Sequence, residues 1–273
     1  MKVAAVQMVS SADRDTNLIQ AQYWIEQAAQ QGAELVVLPE YFCLLGKKDT
    51  DKLLIKEDDG QGIIQQTLSQ CAQKNSVWIV GGTMPVSIDS DDSHVFNTSF
   101  VWGPKGQCVA RYDKIHLFGF DNGKERYDES RVLLRGHQPV TFDLPSIDGH
   151  TWRIGLSVCY DLRFPELYRV LSAQGADLFL VPSAFTYTTG QVHWTVLLRA
   201  RAIENLSYVV APAQGGTHDN GRTTWGHTSI VGPWGENLGE LAVGAGIVLA
   251  DCDATHLKNI RQQLPALEHR HLP

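Results

Sequence analysis

A cysteine, a glutamate and a lysine, each closing a strand-like run, are the positions in this chain whose types and placement suggest chemistry. Cys159 lies in Arg153-Ile-Gly-Leu-Ser-Val-Cys-Tyr-Asp-Leu-Arg-Phe-Pro-Glu166, where Ile154, Leu156 and Val158 alternate with Gly155 and Ser157. That alternation is the period of a strand. Pro165 then opens a helical pattern with Leu167, Val170 and Leu171 on one face, and Gly175 stands where a C-terminal cap belongs. The cysteine is therefore expected at a strand end before a tight turn, with the Tyr160 N–H facing the same space. A helix N-terminus or a cation nearby lowers a thiol pKa, so a thiolate is expected near neutral pH. The competing account is plain: a single cysteine on an apolar strand is more often core filler. Glu40 follows Leu-Val-Val-Leu-Pro and Lys114 sits in Arg-Tyr-Asp-Lys-Ile-His. Read alone, one is a loop carboxylate and the other an exposed edge lysine. Read together, the three supply a base, an oxyanion donor and a nucleophile, the set that acyl transfer requires.

Many strands and several helices must position these groups. Strand-like runs are expected at Val3–Met8, Leu35–Leu38, Val77–Gly81, Asn97–Trp102, Val109–Tyr112, Trp152–Val158, Leu178–Val181, Ser207–Ala211, Thr228–Val231 and Gly246–Ala250. Leu18, Ala21, Ile25 and Ala28 stripe a helix over Asn17–Gln31, with Asp15 or Thr16 as cap and Gly32 as stop. A second stripe from Ile63 to Ala72 puts Cys71 on a core face, a third helix surrounds Trp194–Ile203, and a fourth starts near Asp253. One echo bears on architecture. Gln31-Gly-Ala-Glu-Leu-Val-Val-Leu-Pro-Glu40 resembles Gln174-Gly-Ala-Asp-Leu-Phe-Leu-Val-Pro-Ser183, as a fold of two similar halves would produce. The run Asp89–Ser93 reads as a hairpin tip, Pro233-Trp-Gly235 as a turn, and the tail from Pro265 to Pro273 lacks periodicity. Arg199, Arg201 and Glu204 are expected to form structural ion pairs.

Composition narrows the partners. With 273 residues, 43% hydrophobic and 19% charged, and nothing resembling a linker, the chain is expected to form one domain over residues 1–273. Its formal net charge is −7 and no Lys/Arg run exceeds two residues, so no nucleic-acid partner is expected. The first residues do not make a signal segment and no apolar stretch reaches membrane length, so neither a membrane partner nor secretion is expected, and the location is read as cytoplasmic. Five scattered cysteines without a C-x-x-C pair fit a reducing compartment, without disulfides or structural zinc. His269-Arg-His271 reads as a solvated tail. Serine-hydrolase, zincin and nucleotide-binding motifs are absent from the sequence.

Leu-Pro-Glu40, Tyr-Asp-Lys114-Ile-His and Val-Cys159-Tyr-Asp-Leu-Arg-Phe-Pro-Glu166 resemble, in this order, the Glu-Lys-Cys motifs of the nitrilase superfamily of carbon–nitrogen hydrolases. The resemblance runs from about Gln7 to Arg270. It implies an α/β fold, a four-layer α-β-β-α sandwich, usually paired as a homodimer, and amide hydrolysis through a cysteine thioester without metal or cofactor. It also implies a second glutamate, matched by Glu129 in Tyr-Asp-Glu129-Ser, to orient Lys114, and an oxyanion contact from the Tyr160 N–H. Tyr160-Asp161 follows the amidase-like rather than the nitrilase-like pattern. N-carbamoyl hydrolysis is the runner-up, and an inactive binding protein that keeps the fold is the non-enzyme alternative.

Four further residues are candidate substrate contacts. Arg163, four residues past the nucleophile, is placed to grip a carboxylate bidentately, the alternative being an ion pair with Glu166 or Asp161. Phe185 offers an apolar wall, Thr189 a hydroxyl donor and His116 a third polar contact. Pro-Ser-Ala-Phe-Thr, Leu-Leu-Arg-Ala-Arg-Ala-Ile-Glu204 and Ala-Gln214-Gly-Gly-Thr-His218 look more like the branch that acts on deaminated glutathione than the ω-amidase branch that acts on α-ketoglutaramate. The four contacts suit a small amide with a carboxylate at its far end, and the likeness implies deaminated glutathione, cleaved to α-ketoglutarate and Cys-Gly, with α-ketoglutaramate as a weaker or side substrate.

Overall fold

The computed structural model describes residues 1–271. Its first half runs β1 (Lys2–Gln7), α1 (Arg14–Gln30), β2 (Leu35–Val37), α2 (Asp51–Leu54), α3 (Ile63–Asn75), β3 (Trp78–Val80), β4 (Met84–Ile88), β5 (Asp91–Trp102) and β6 (Cys108–Asp113). A hairpin of β7 (Gly119–Asp121) and β8 (Arg126–Asp128) and the short β9 (Leu133–Leu134) lead into the second half. That half holds β10 (Thr141–Pro145), β11 (Thr151–Leu156), α4 (Pro165–Ala173), β12 (Leu178–Leu180), α5 (Tyr187–Asn205) and β13 (Tyr208–Ala211). A second hairpin, β14 (Gly215–Thr217) with β15 (Thr223–Trp225), precedes β16 (Thr228–Val231), β17 (Asn237–Leu241), β18 (Gly246–Asp251) and α6 (Ala254–Gln263).

The strands form two sheets of the same pattern. One is ordered β18-β1-β2-β3-β5-β4, with β6 and β9 also paired to β5; the other is ordered β10-β11-β12-β13-β16-β17. In each, an antiparallel edge strand flanks three parallel strands, followed by two antiparallel ones. The edge strand β18 reaches the first sheet from the far end of the chain. The echoed decapeptides are the entries to β2 and β12, and the glycine before each is left-handed, Gly32 at φ 83° and Gly175 at φ 88°. Two similar halves, packed sheet to sheet, account for the echo.

Burial explains why these strands read as nearly continuous apolar runs. Along β1, Val3 and Ala5 join the core between the two sheets, while Ala4 and Val6 join the core under α1 and α3. Leu35 and Val37 against Val36 and Leu38 split the same way. In the second half Ile154 and Leu156 lie on one face of β11, while the opposite face, at Gly155, is covered by Leu171 of α4. Layers of helix, sheet, sheet and helix result, which is the expected sandwich. Some boundaries differ from expectation: α5 begins at Tyr187 and β5 at Asp91, ahead of the expected Trp194 and Asn97, and α1 begins three residues early, its cap being Asp13, which accepts from the Thr16 N–H at 2.9 Å, rather than Asp15 or Thr16. The apolar stripe marks where a helix is buried, not where it starts, so the solvated first turn leaves no trace in the pattern. Asp253 does cap α6, and Cys71 is buried in the α3 core.

Candidate active site

Glu40, Lys114, Glu129 and Cys159 converge where the corresponding ends of the sheets meet. Glu40 comes two residues after Leu38, whose N–H extends the β2 ladder to the Val80 carbonyl. The chain reverses there, and Tyr41 takes φ 57°. Gly82 permits this reversal, since a Cβ on it would lie 2.0 Å from the Pro39 carbonyl oxygen. Gln214 holds the Glu40 carbonyl from below through Nε2 at 3.1 Å. Lys114 follows β6, and its N–H extends the ladder to the Asn97 carbonyl at 3.0 Å.

Cys159 ends the strand extension and α4 begins at Pro165, both as expected. A 3₁₀ turn over Cys159–Arg163 intervenes before α4. The cysteine itself is left-handed at φ 48°, a strained conformation for a residue with a Cβ. Its N–H donates to the Pro182 carbonyl at 2.9 Å. Asp161 locks the turn: its Oδ2 accepts from the Val158 N–H at 2.8 Å and the Tyr112 hydroxyl at 2.6 Å, while Oδ1 accepts from the His116 N–H at 3.0 Å. One buried carboxylate thus ties the cysteine turn to the segment that carries Lys114. No loop carbonyl among the described residues accepts from the Tyr160 N–H, which leaves it available to an oxyanion.

Lys114 is fully buried, and its Nζ lies 2.9 Å from Glu40 Oε1 and 2.8 Å from Glu129 Oε2. The accounts of an exposed lysine and a solvated carboxylate therefore fail. Glu40 also accepts from Asn97 Nδ2 and the Ala184 N–H, both at 3.0 Å; Glu129 accepts from the Tyr41 hydroxyl and the Phe118 N–H, both at 2.7 Å. Burial pushes the Glu40 carboxyl above its ordinary range against the pull of Lys114. Burial acts on Glu129 in the same direction, but Lys114 and the Phe118 and Tyr41 donors outweigh it and hold that carboxyl low. The lysine, opposed by burial, is held well above its usual value by Glu129 and Glu40.

Electrostatics correct the expectation of a resting thiolate. Burial, and then the charge of Glu40, push the Cys159 thiol well above its ordinary pKa in spite of Lys114. The two carboxylates and one ammonium already sum to a single negative charge, so a thiolate beside them would add a second in a nearly dry site. A thiol that yields its proton to Glu40 only as it attacks fits this balance.

A narrow cleft opens on Cys159 and is lined by Phe118, Tyr160, Arg163, Phe185 and Thr189 among others. Arg163 makes no ion pair with Glu166, Asp161 or any other described residue; it meets His193 Nδ1 at 3.2 Å and lies over the rings of Tyr160 and Phe185 at 5.7 and 5.5 Å. Phe185 packs on Trp194, and the Thr189 hydroxyl meets that of Thr186 at 2.9 Å. His116 is brought elsewhere. Its Nδ1 lies 2.7 Å from Asp161 and its ring stacks on Phe164 with centroids 3.7 Å apart, so its part is to brace the cysteine turn rather than to line the cleft. Arg201 pairs with Glu204 at 2.9 Å as expected, whereas Arg199 donates to the Gly235 carbonyl instead. Asn97 and Tyr41 give no signal in the sequence because each lies far along the chain from the residue it holds.

A sequence model of the family described as carbon-nitrogen hydrolase matches residues 2–262. The deaminated glutathione amidase of Synechocystis sp. (strain PCC 6803 / GT-S) is 42% identical over 98% of this chain and 97% of its own length. The human omega-amidase NIT2 is 36% identical over 98% of this chain and 94% of its own. The crystal structure of Saccharomyces cerevisiae Nit3, a member of branch 10 of the nitrilase superfamily, matches at a TM-score of 0.88 and 30% identity, covering 100% of this chain and 97% of that one.

Proposed function

This chain belongs to the carbon–nitrogen hydrolase family, the nitrilase superfamily, and is an enzyme that hydrolyses amides; from that premise we propose that Cys159 is its nucleophile and that Glu40, Lys114 and Glu129 complete the machinery. The observation that carries the reading is the buried Lys114 ammonium bridging Glu40 at 2.9 Å and Glu129 at 2.8 Å beside the cysteine turn. As sulfur attacks the amide carbonyl, its proton passes to Glu40. Lys114 and the Tyr160 N–H take up the charge on the carbonyl oxygen. Collapse breaks the carbon–nitrogen bond, and Glu40 gives its proton to the departing amine. Glu40 then deprotonates a water that attacks the thioester, the acid leaves, and the proton returns to sulfur. Glu129, held by three donors, keeps Lys114 charged and aimed.

The substrate proposed is deaminated glutathione, cleaved to α-ketoglutarate and Cys-Gly, with α-ketoglutaramate hydrolysed less efficiently. Two points support it: the Arg163 guanidinium lacks a carboxylate partner beside the cleft that opens on Cys159, and the relative at 42% identity is named for that activity. Phe185 and Thr189 belong to the same wall. Work in the cytoplasm and a homodimer through α4 and α5 complete the proposal; the half-exposed Val170, Val192, Val196 and Ile203 on those helices are the apolar surface a second copy would cover. Measuring α-ketoglutarate release tests the reading. We expect kcat/KM to be larger for deaminated glutathione than for α-ketoglutaramate and Cys159→Ala to abolish both. A reversed preference sinks the substrate, and more than about a tenth of wild-type activity in Cys159→Ala sinks the nucleophile, that threshold being only ~1.4 kcal/mol of barrier.

A further inference from the structure

Phe118 lines both the cleft on Cys159 and a second cleft, whose walls include Tyr41, Lys52, Tyr127, Glu129 and Arg222. Lys52 rides on the short helix α2, and Arg222 follows the left-handed Gly221 at the tip of the β14–β15 hairpin. These cations come from loops remote in sequence and face one cleft. The Lys52 Nζ lies 4.7 Å from the centre of the Tyr41 ring, and the Arg222 guanidinium 5.0 Å from that of Tyr127. Neither side chain has a hydrogen-bond or ion-pair partner among the described residues. A cation resting on a ring face keeps its N–H donors unspent. Asp49 and Asp128 also border the cleft. Asp128 accepts from the Ser130 hydroxyl at 2.6 Å, and the charge of Glu129 is answered by Lys114. Burial pulls the Lys52 pKa down, with Asp49 too distant to pair with it.

An amide has two halves, and this enzyme has two neighbouring clefts that share Phe118, one containing Cys159 and the other bordered by Glu129. The cleft that contains Cys159 must hold the half that stays on sulfur, with Arg163 as its cation. The amine half departs from the other side of the carbonyl carbon, toward the second cleft, which Tyr41 and Glu129 line and which borders the first at Phe118. We propose that Lys52 and Arg222 form a subsite for a carboxylate on the leaving amine, which in the substrate proposed above is the C-terminal carboxylate of Cys-Gly. The inference rests on that reading of the substrate. It also supplies a reason for preferring a peptide amide to a primary one: ammonia leaves the second cleft empty.

The test compares two substrates, α-ketoglutaryl-Cys-Gly and the same compound with its glycine carboxylate capped as a carboxamide. In the wild-type enzyme capping should lower kcat/KM about tenfold, mainly through KM, the loss expected when one charged contact disappears. In Lys52→Met/Arg222→Met the uncapped substrate should fall by a similar factor, and capping should make no further difference. The ratio of kcat/KM for uncapped substrate to that for α-ketoglutaramate should fall with it. Wild-type turnover that ignores the cap overturns the subsite while leaving the substrate reading intact, as does a double variant that still discriminates. Failure of the wild type to hydrolyse either compound overturns the substrate reading and this inference together.

Discussion

Replacing Lys114 by Met tests the bridge at the centre of the site, because methionine has nearly the same length and volume but no charge. In the native protein the ammonium lies 2.9 Å from one buried carboxylate and 2.8 Å from another. Removing one partner of a buried ion pair typically costs about 3–5 kcal/mol, since the remaining charge stays out of water. Here two carboxylates are left, so one must bind a proton. The sign of the pH dependence follows. In the wild type Glu129 is held low, so its contribution is present above the unfolded carboxylate pKa and lost as pH falls through the folded value. Lys114 is held high, so its contribution persists until pH rises past the unfolded lysine value of about 10.4. In Lys114→Met the folded carboxyl pKa values rise above the unfolded value of about 4.3, so the penalty is small near that pH and grows as pH increases. The deficit should reach about 3–5 kcal/mol at pH 7, against a smaller deficit near pH 5. Turnover should drop by roughly 10²–10³ or more, the usual loss for one oxyanion donor. Urea unfolding followed by tryptophan fluorescence at fixed protein concentration, run from pH 5 to pH 8, measures the first effect, and steady-state kinetics the second. A deficit under about 1 kcal/mol that does not change with pH would refute the bridge as a source of stability.

Glu40→Gln should fail to acylate, so a burst experiment should show no rapid thioester formation; a burst at the wild-type rate would identify another base. Because burial raises the Glu40 carboxyl, the acid limb of kcat/KM should lie above the ordinary glutamate value of about 4.3, and a limb at or below it contradicts the electrostatic account. Light scattering at micromolar concentration should report a dimer, and Val196→Glu, in the middle of the exposed α5 face, should shift it toward monomer. A stable wild-type monomer would remove the proposed interface.

How far the chain reveals its own fold depends on how local each signal is. Nearly continuous apolar runs mark the central strands of both sheets because their side chains are buried on two faces, and the Gly-stop, strand, Pro echo announces two similar halves. The short edge strands β4, β10 and β17 escape the sequence reading: β4 and β10 alternate over only five residues and each includes a proline, and β17 is mostly solvated. Glu40, Lys114 and Cys159 are legible because each ends a strand-like run with a group the core has no use for, and Glu129 comes only through the family motif. His116 is misplaced by sequence alone: nearness to Lys114 along the chain puts it in the cleft, whereas Asp161, 45 residues away, draws its ring to the cysteine turn.

By itself, then, the amino-acid order determined the layers of the fold, the residues that could carry acyl transfer, and the family to which they belong. Tertiary structure decided the charge states. Whether Cys159 rests as thiol or thiolate depends on how much water reaches it and on how many carboxylates share the site, and both follow from packing between segments far apart in the chain. The same packing decided that Arg163 lacks a carboxylate partner, that Asp161 is spent on holding the turn, and that Lys52 and Arg222 face one cleft. Electrostatic energy depends on distance and burial, and neither is a property of any single stretch of sequence.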